Sequence, residues 1–380
     1  MIKLVKKMKK LVLIMFVLIF CVCQAVTPAS ILNIELKDTT PKIENYQLSM
    51  AMVGDVLLHD GVYKDAYNST TKKYDFSKHV ELIKPITSMY DVAFYNQETI
   101  LGGTSLGLST YPRFNSPFEI GDAMIDAGFN MVSLANNHTL DRGEEAILNS
   151  NNYWQKQVQV YSSGSYDSKE SRNEIPIFEK NNITYAMLAY TTTTNGLKTA
   201  ENKEYLVDVY EEEKVAQDVK NIRDEVDVLF ISMHWGNEYE TTPNKTQQGI
   251  ANYLSTLNVD VVIGHHPHVV QPIELVGNTL VFYSLGNFIS AQDSKGDYQK
   301  RIGLLSSLDI YKSVQNGEKK IRIQNVENEL LYTHYENYRN FKVIPFRNMN
   351  VTYNKEYQRL YDKYSNIIKQ IDVTVPIRSL

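Results

Sequence analysis

Cysteine is nearly absent from this 380-residue chain, which has two, Cys21 and Cys23, both inside an apolar N-terminal stretch. The body that follows therefore has no disulfide and no thiolate ligand, so any metal must be held by His, Asp, Glu or Asn side chains. Such donors are typical of catalytic sites for Mn, Zn, Fe or Mg rather than of structural zinc sites.

The body also lacks a basic cluster, an internal repeat and a long low-complexity linker. The net charge of −5 is mildly negative, so we predict no nucleic-acid interface. About 350 residues remain after the apolar stretch, which is enough for one large domain or two small ones.

The N-terminus combines five lysines in residues 1–10 with an apolar run over 11–26. That run is short of the roughly 20 residues that cross a bilayer. Residues 1–26 are therefore predicted to be a signal peptide or an N-terminal membrane anchor, and both alternatives stay open. Because the lysines stay in the cytoplasm in either case, the body is expected at the outer face of the cell membrane, or secreted after cleavage. Residues 27–46 are polar and are predicted to be a spacer.

Strand and helix patterns alternate along the body, which predicts an α/β fold. Apolar, β-branched runs predict strands at 47–53, 91–95, 131–135, 175–178, 184–189, 226–233 and 259–263, and a hairpin at 272–276 and 279–283. Apolar residues at helical spacing predict helices at 117–127, 144–156, 211–225 and 244–257.

Five of the predicted strands end on residues that can bind metal. These endings are Asp55, Glu98, Asn137 with His138, His234, and the segment His265 to His268, which holds three of the eight histidines. Functional sites of open α/β sheets form at the carboxyl ends of strands, so we predict that these five endings converge on one divalent-metal centre.

Two residues near this centre suggest acid–base chemistry. His138 is placed to act as a general acid or to contact a phosphate. Asp141, three residues further on, could orient the His138 imidazole by accepting its ring N–H, and it could equally be a helix N-cap. His59 could line the pocket, whereas His79 and His334 belong to no motif and are taken as structural.

The motifs, taken in order, resemble those of the poly-gamma-glutamate capsule biosynthesis protein A (CapA) family. They are Val53-Gly54-Asp55, Asn96-Gln97-Glu98, Asn136-Asn137-His138-Thr139-Leu140-Asp141-Arg142-Gly143, His234-Trp235-Gly236-Asn237-Glu238-Tyr239, Gly264-His265-His266-Pro267-His268 and Gly286-Asn287-Phe288. This resemblance covers residues 47 to about 290. It implies the calcineurin-like metallophosphoesterase fold, a four-layer α/β/β/α sandwich with a two-metal centre, in a domain over 47–345 followed by a C-terminal extension over 346–380.

Carried onto this chain, the resemblance implies a ligand set for one or two divalent ions (Mn, Zn, Fe or Mg): Asp55, Glu98, Asn137, His234, His266 and His268. His138 and Asp141 are the implied catalytic pair, and the residues expected to contact substrate are Asn96, Arg113, Asn136, Arg142, Glu238, His265 and Asn287. Two departures stand out, because Leu57 replaces a His two residues after the first Asp, and Glu98 stands where a bridging Asp is usual. Both remove expected ligands, so two metals, one metal and a degenerate site remain alternatives.

The implied function is a metal-dependent hydrolase of phosphoesterase type that acts in synthesis, export or anchoring of an anionic polymer such as poly-gamma-glutamate. Its expected partners are this polymer, membrane-bound polymer synthase components and, through the N-terminal segment, the membrane. Two alternatives stay open. One is a non-catalytic assembly or polymer-binding component of a membrane ligase complex, and the other is an amide hydrolase acting on polymer or cell wall.

Overall fold

The computed structural model describes residues 43–292 and 298–380. The predicted leader and residues 27–42 of the predicted spacer lie outside this range. Residues 43–46 are not spacer, because strand β1 begins at Ile43 and pairs with an antiparallel neighbour from its first residue. Within the described ranges, no helix has the length and apolar character needed to cross a membrane.

The elements alternate as predicted. The strands are β1 (Ile43–Val56), β2 (Tyr67–Asn68), β3 (Lys73–Tyr74), β4 (Val92–Gln97), β5 (Met131–Ser133), β6 (Tyr161–Ser163), β7 (Phe178–Lys180), β8 (Ile183–Thr191), β9 (Val228–His234), β10 (Val261–His265), β11 (Ile273–Val276), β12 (Thr279–Phe282), β13 (Asn287–Ile289), β14 (Ile302–Gln315), β15 (Glu318–Glu336) and β16 (Arg339–Pro345). The helices are α1 (Asp60–Ala66), α2 (Ser77–Val80), α3 (Lys84–Thr87), α4 (Glu119–Asp126), α5 (Gly143–Gln155), α6 (Lys169–Asn173), α7 (Glu212–Ile222), α8 (Lys245–Thr256) and α9 (Tyr357–Ile368).

Two sheets carry the fold. The larger has the order β16-β15-β14-β1-β4-β5-β6, with β13 also paired to β1, and the smaller has the order β11-β12-β10-β9-β8-β7. In the larger sheet β1, β4, β5 and β6 run parallel, and in the smaller sheet β8, β9, β10 and β12 run parallel. Each sheet therefore brings the carboxyl ends of several strands to one edge.

The sheets face each other across a shared apolar core. Met50 and Phe94 from the larger sheet belong to the same buried cluster as Met187, Phe230 and Ile263 from the smaller one. Burying a side chain such as Phe230 contributes about 1.5–3 kcal/mol.

Each sheet also packs helices against its outer face. Val53 of β1 belongs to a cluster with Met124 of α4 and Trp154 of α5, and Leu229 of β9 belongs to one with Val219 of α7 and Leu254 of α8. The layer order is α/β/β/α, which confirms the predicted fold class.

Two differences from the expected elements have physical reasons. The strand predicted over 175–178 is wrong except for its last residue, because β7 starts at Phe178. Pro176 has no N–H to donate to a sheet. Strands β13 to β16 lie outside the predicted elements, although alternation such as Leu308 and Ile310 around Asp309 indicates a strand.

The C-terminal residues continue the domain. Ile43–Leu380 form one compact unit, and Leu360, Tyr364 and Ile368 of α9 are fully buried in the core between the sheets. Residues 346–380, predicted to be a C-terminal extension, therefore belong to the same compact unit.

Candidate metal centre

The strand ends meet because the strands are parallel and in close register. Asp55 lies opposite Asn96 across β1 and β4, and His234 lies opposite His265 across β9 and β10. Five side chains from both sheets, which we call the metal cluster, are buried together there: Asp55, Glu98, His234, His266 and His268.

Asp55 is the most heavily contacted carboxylate of the metal cluster. Its Oδ1 accepts a hydrogen bond from Asn96 Nδ2 at 2.9 Å and lies 3.1 Å from His265 Nδ1. Its Oδ2 lies 3.4 Å from His268 Nδ1 and accepts the backbone N–H of His266 at 3.3 Å. Burial alone would raise the pKa of Asp55, but His265 and His268 hold it well below its usual value. Asp55 is therefore an anion ready to bind a cation.

Glu98 is buried in a different way. It is fully buried, and among the described residues neither carboxylate oxygen has a hydrogen-bond partner. Its Oε1 lies 3.5 Å from His268 Nε2 and 3.6 Å from His234 Nε2. Burial raises the pKa of Glu98 well above its ordinary value, against the opposing effect of His268. A buried carboxylate without partners is costly, so this group fits a bound cation.

A tight turn over residues 264–268, the histidine turn, presents the last imidazoles. At Gly264 a Cβ would come within 2.0 Å of Tyr283 O, so a side chain cannot be accommodated. His266 and His268 have φ of +96° and +57°, a region that non-glycine residues seldom occupy. Such strain is tolerated mainly at functional sites. It directs both imidazoles into the metal cluster, where their ring centroids are 6.0 Å apart.

The two imidazoles differ in charge. Burial, reinforced by the charge on His268, lowers the pKa of His266 to about 4. Burial opposes protonation of His268 too, but Glu98 and Asp55 raise its pKa to about 9. His234 has a pKa well below its ordinary value because of burial and the neighbouring His266. Thus two of the three imidazoles are neutral ligands at pH 7, and the third carries a proton that a metal would displace.

The donors fall into groups that could hold a metal ion. In each group one atom per residue lies within 4.8 Å of the others; the groups are Asp55 with Glu98 and His268, Glu98 with His234 and His266, and Glu238 with His266 and His268. Glu98, His266 and His268 each belong to two of these groups. The nitrogen and oxygen donors, their burial and the unpartnered Glu98 oxygens all fit one or two divalent ions.

Asn137 lies beside the second group. Its Oδ1 is 2.9 Å from His234 Nε2, and its Nδ2 donates to Asn195 Oδ1 at 3.4 Å. Asn195 directly follows the segment Thr191–Thr194. The Thr192 N–H of this segment donates to His234 O at 2.9 Å, which holds it against β9. Asn195 was not among the predicted site residues, because its position depends on a contact between distant parts of the chain.

His138 and Asp141 form a buried pair. His138 Nδ1 lies 2.7 Å from Asp141 Oδ2, and the same oxygen accepts the Phe114 backbone N–H at 2.7 Å. The Phe114 ring packs edge-on to His138 with centroids 4.7 Å apart. Asp141 thus lies where it can accept the ring N–H of His138 and orient the imidazole. The hydrogen bond from the Phe114 N–H also connects the loop that precedes Phe114 to the Asp141 carboxylate. No sequence pattern indicates this interaction.

Four residues that were expected to contact substrate are buried around the metal cluster. They contact other side chains or the backbone of the site instead. Asn96 and His265 contact Asp55. Asn287 Oδ1 lies 3.0 Å from His268 Nδ1, and its Nδ2 donates to Lys300 O at 2.9 Å. Asn136 accepts the His138 N–H through Oδ1 and donates to Gln97 O through Nδ2. These residues position other site groups.

The two predicted arginines have different environments. Arg142 donates to Gly107 O, Ser109 Oγ and Leu106 O at 2.7–3.0 Å, so its guanidinium braces the loop over 106–109. Arg113 is exposed and directly precedes Phe114. We therefore retain Arg113, and not Arg142, as the candidate for contact with substrate.

The other histidines and an aromatic residue complete the surroundings. His59 is half-buried with its ring 5.2 Å from Phe114, and burial, with a contribution from His268, lowers its pKa to about 4. The centroids of the Tyr239 and His268 rings are 6.2 Å apart. Lys300 Nζ lies over the Tyr239 ring, 4.1 Å from its centroid. His79 is buried away from the motifs, 3.5 Å from Asp65.

Metal binding should release protons. Below pH 9 His268 is protonated and must lose its proton to act as a ligand, so affinity should rise by about tenfold per pH unit between pH 6.5 and 8.5. Calorimetric titration with Mn²⁺ in two buffers of different ionisation enthalpy at pH 7.5 should show a net release of protons on binding. Equal heats in the two buffers would contradict this assignment.

Comparisons of the sequence with known proteins give a family match. The model of a family described as bacterial capsule synthesis protein PGA_cap matches residues 49–292. PGA biosynthesis protein CapA of Bacillus subtilis (strain 168) is 26% identical over 270 residues, which cover 67% of each chain. Capsule biosynthesis protein CapA of Bacillus anthracis is 27% identical over 261 residues, covering 66% of this chain and 61% of that protein.

Solved structures with similar folds are more distant. Calcineurin-like phosphoesterase YfkN from Bacillus subtilis has a TM-score of 0.41 and 13% identity, with 74% of this chain and 91% of that chain covered. Haemophilus influenzae NAD nucleotidase (NadN) has a TM-score of 0.43 and 13% identity, with 88% and 64% covered.

Proposed function

Because the chain belongs to the bacterial capsule synthesis protein PGA_cap family, we propose that it acts on a capsular polymer through a metal-dependent hydrolase site of phosphoesterase type. The polymer we propose is an anionic one of the poly-gamma-glutamate type, which the protein would help to synthesise, export or anchor. Membrane-bound polymer synthase components are its proposed partners.

One observation carries the hydrolase proposal. Glu98 is a fully buried carboxylate whose oxygens have no hydrogen-bond partner in the described ranges, and His234 and His268 lie within 3.6 Å of it. A core that only needed to be stable would favour an apolar residue here, because a buried acid without hydrogen bonds is unfavourable. The arrangement is understandable if the site normally contains a cation.

When bound, one or two divalent ions would supply Lewis-acid activation of a water and of the scissile bond. Asp55, Glu98, Asn137, His234, His266 and His268 would hold them. His138, not a member of any of the metal-ligand groups, is left to give a proton to the leaving group. Asp141 holds His138 Nδ1 at 2.7 Å, which fixes the tautomer with the proton on Nδ1 and leaves Nε2 for proton exchange with the substrate.

Two cationic side chains near the metal cluster could bind an anionic polymer. Arg113 is exposed, and the next residue, Phe114, contacts both His138 and Asp141. Lys300 lies over Tyr239, whose ring neighbours His268. Carboxylates or phosphates of an extended polymer could contact these cations while one group reaches the metal cluster.

Polymer binding tests the proposed substrate class. The Mn²⁺-loaded protein should bind poly-gamma-glutamate of defined length more tightly than a neutral polymer, and its affinity should fall as salt rises. Arg113→Ala should weaken polymer binding about fivefold, because an exposed charge pair contributes roughly 1 kcal/mol. Arg359→Ala, at an exposed arginine of α9, is the matched control. Equal affinity for charged and neutral polymers would reject an anionic-polymer site.

Location outside the cytoplasm is also part of the proposal. Its support is the basic and then apolar pattern of residues 1–26. Cell fractionation tests this location. Recovery of the protein mainly in the cytosol would refute it, and recovery of soluble secreted protein would favour a cleaved leader over an anchor.

A further inference from the structure

The loop over residues 236–240, which we call the Glu238 loop, is fastened to the histidine turn. Three hydrogen bonds flank it: Trp235 N to His265 O at 3.1 Å, Tyr239 N to Pro267 O at 2.8 Å, and Gln271 Nε2 to Glu240 O at 2.8 Å. Gly236 and Tyr239 have φ of +87° and +68°, so the chain bends sharply at both ends of the loop. The position of Glu238 is therefore set by the same turn that presents His266 and His268.

Glu238 reaches those two histidines from the exposed side. One of its carboxylate oxygens, one nitrogen of His266 and one of His268 lie within 4.8 Å of one another. Three ligands at about 2.1 Å from one metal lie about 3.0–3.6 Å from one another, so the exposed Glu238 side chain would have to move toward the two histidines to reach coordination distance. Glu238 is exposed, whereas both histidines are buried.

The buried partners point independently to a missing ligand. His266 is 7% exposed, and among the described residues its Nδ1 has no hydrogen-bond partner. Leu57, whose side chain cannot bind metal, is buried two residues after Asp55. An ion held by His266 and His268 would need a further donor, and Glu238 is an acid that lies beside both histidines.

We propose that Glu238 is a metal ligand that completes the coordination of an ion held by His266 and His268. The inference rests on the proposed metal site and adds a ligand to it. Because Glu238 lies on the exposed side, a carboxylate or phosphate oxygen of a substrate would enter by replacing it. Substrate anions and Glu238 should therefore compete for the same coordination position.

Titration of the full chain with Mn²⁺, followed by electron paramagnetic resonance, tests the assignment. Wild type is measured first, since absence of Mn²⁺ binding there would reject the proposed metal site itself. Glu238→Gln should bind one Mn²⁺ about 10- to 100-fold more weakly than wild type. Glu238→Asp, which keeps a carboxylate, should recover part of that loss.

A matched control separates coordination from general surface charge. Glu240→Gln removes an exposed acid from the same loop, two residues away, and should leave Mn²⁺ affinity within about twofold of wild type. The metal-free thermal midpoint of Glu238→Gln should equal that of wild type, which checks that the loop is intact. Wild-type Mn²⁺ affinity in Glu238→Gln, or equal losses in the two Gln variants, would overturn the inference.

Discussion

Glu98→Gln should abolish metal binding and at the same time make the metal-free protein more stable. The carboxylate belongs to two of the candidate ligand groups, so its loss affects both. Without metal, Glu98 is a fully buried acid with no hydrogen-bond partner in the described ranges. Replacement by the neutral amide of similar shape removes the cost of burying an ionisable carboxyl group, so it should raise the free energy of unfolding of the metal-free protein.

The metal-loaded protein should change in the opposite direction. A ligand present at a thousand times its dissociation constant stabilises the folded state by about 4 kcal/mol, and the variant would lose this contribution. Thermal unfolding with chelator and with Mn²⁺, together with elemental analysis, measures both effects. Glu240→Gln is the control and should show neither. Wild-type metal content in Glu98→Gln would remove Glu98 from the ligand set.

His138→Ala should reduce hydrolysis by about 10²- to 10⁴-fold while leaving metal content unchanged. The imidazole belongs to none of the ligand groups formed by the described residues, and its contact with Asp141 at 2.7 Å orients the ring for proton transfer through Nε2. The measurement is turnover of a generic phosphodiester by the Mn²⁺-loaded protein, accompanied by polymer output in cells.

A second variant distinguishes orientation from acid catalysis. Asp141→Asn can still accept the Phe114 N–H but loses the carboxylate that contacts His138 Nδ1, so it should reduce turnover with little change in KM. If His138→Ala leaves both hydrolysis and polymer output unchanged, the catalytic proposal fails and a non-catalytic assembly role becomes the better account. Polymer shortening without phosphodiester turnover, if lost in His138→Ala, would favour the amide hydrolase.

Part of the site follows from local sequence. A β-branched run such as 259–263 followed by Gly264 predicts a buried strand that ends in a turn, and the structure has β10 there. His138 and Asp141 are three residues apart, so one local turn brings them together. The prediction of a strand over 175–178 is wrong because it rests on the apolar composition of this segment. Pro176 has no N–H to donate to a neighbouring strand, and that prevents the pairing.

The roles of other residues depend on pairing between distant segments. Arg142 looks like a substrate ligand in sequence, but the carbonyls of the loop over 106–109 take up its donors. Glu98 and Glu238 look like loop acids, yet one is fully buried and the other lies beside His266. Local patterns indicate secondary structure, whereas burial and neighbours are set by how the two sheets pack.

The sequence by itself determined the chemistry available: no cysteine in the body, nitrogen and oxygen donors at strand ends, and motifs in the order of one family. Strand periodicity and parallel pairing then required those donors to lie at one edge of the fold. Only the tertiary structure decided that Glu98 is shared between two ligand groups, that Asn195 holds Asn137, and that Glu238 faces the histidine turn. These contacts join segments 28 to 170 residues apart in the chain, about which a local pattern carries no information.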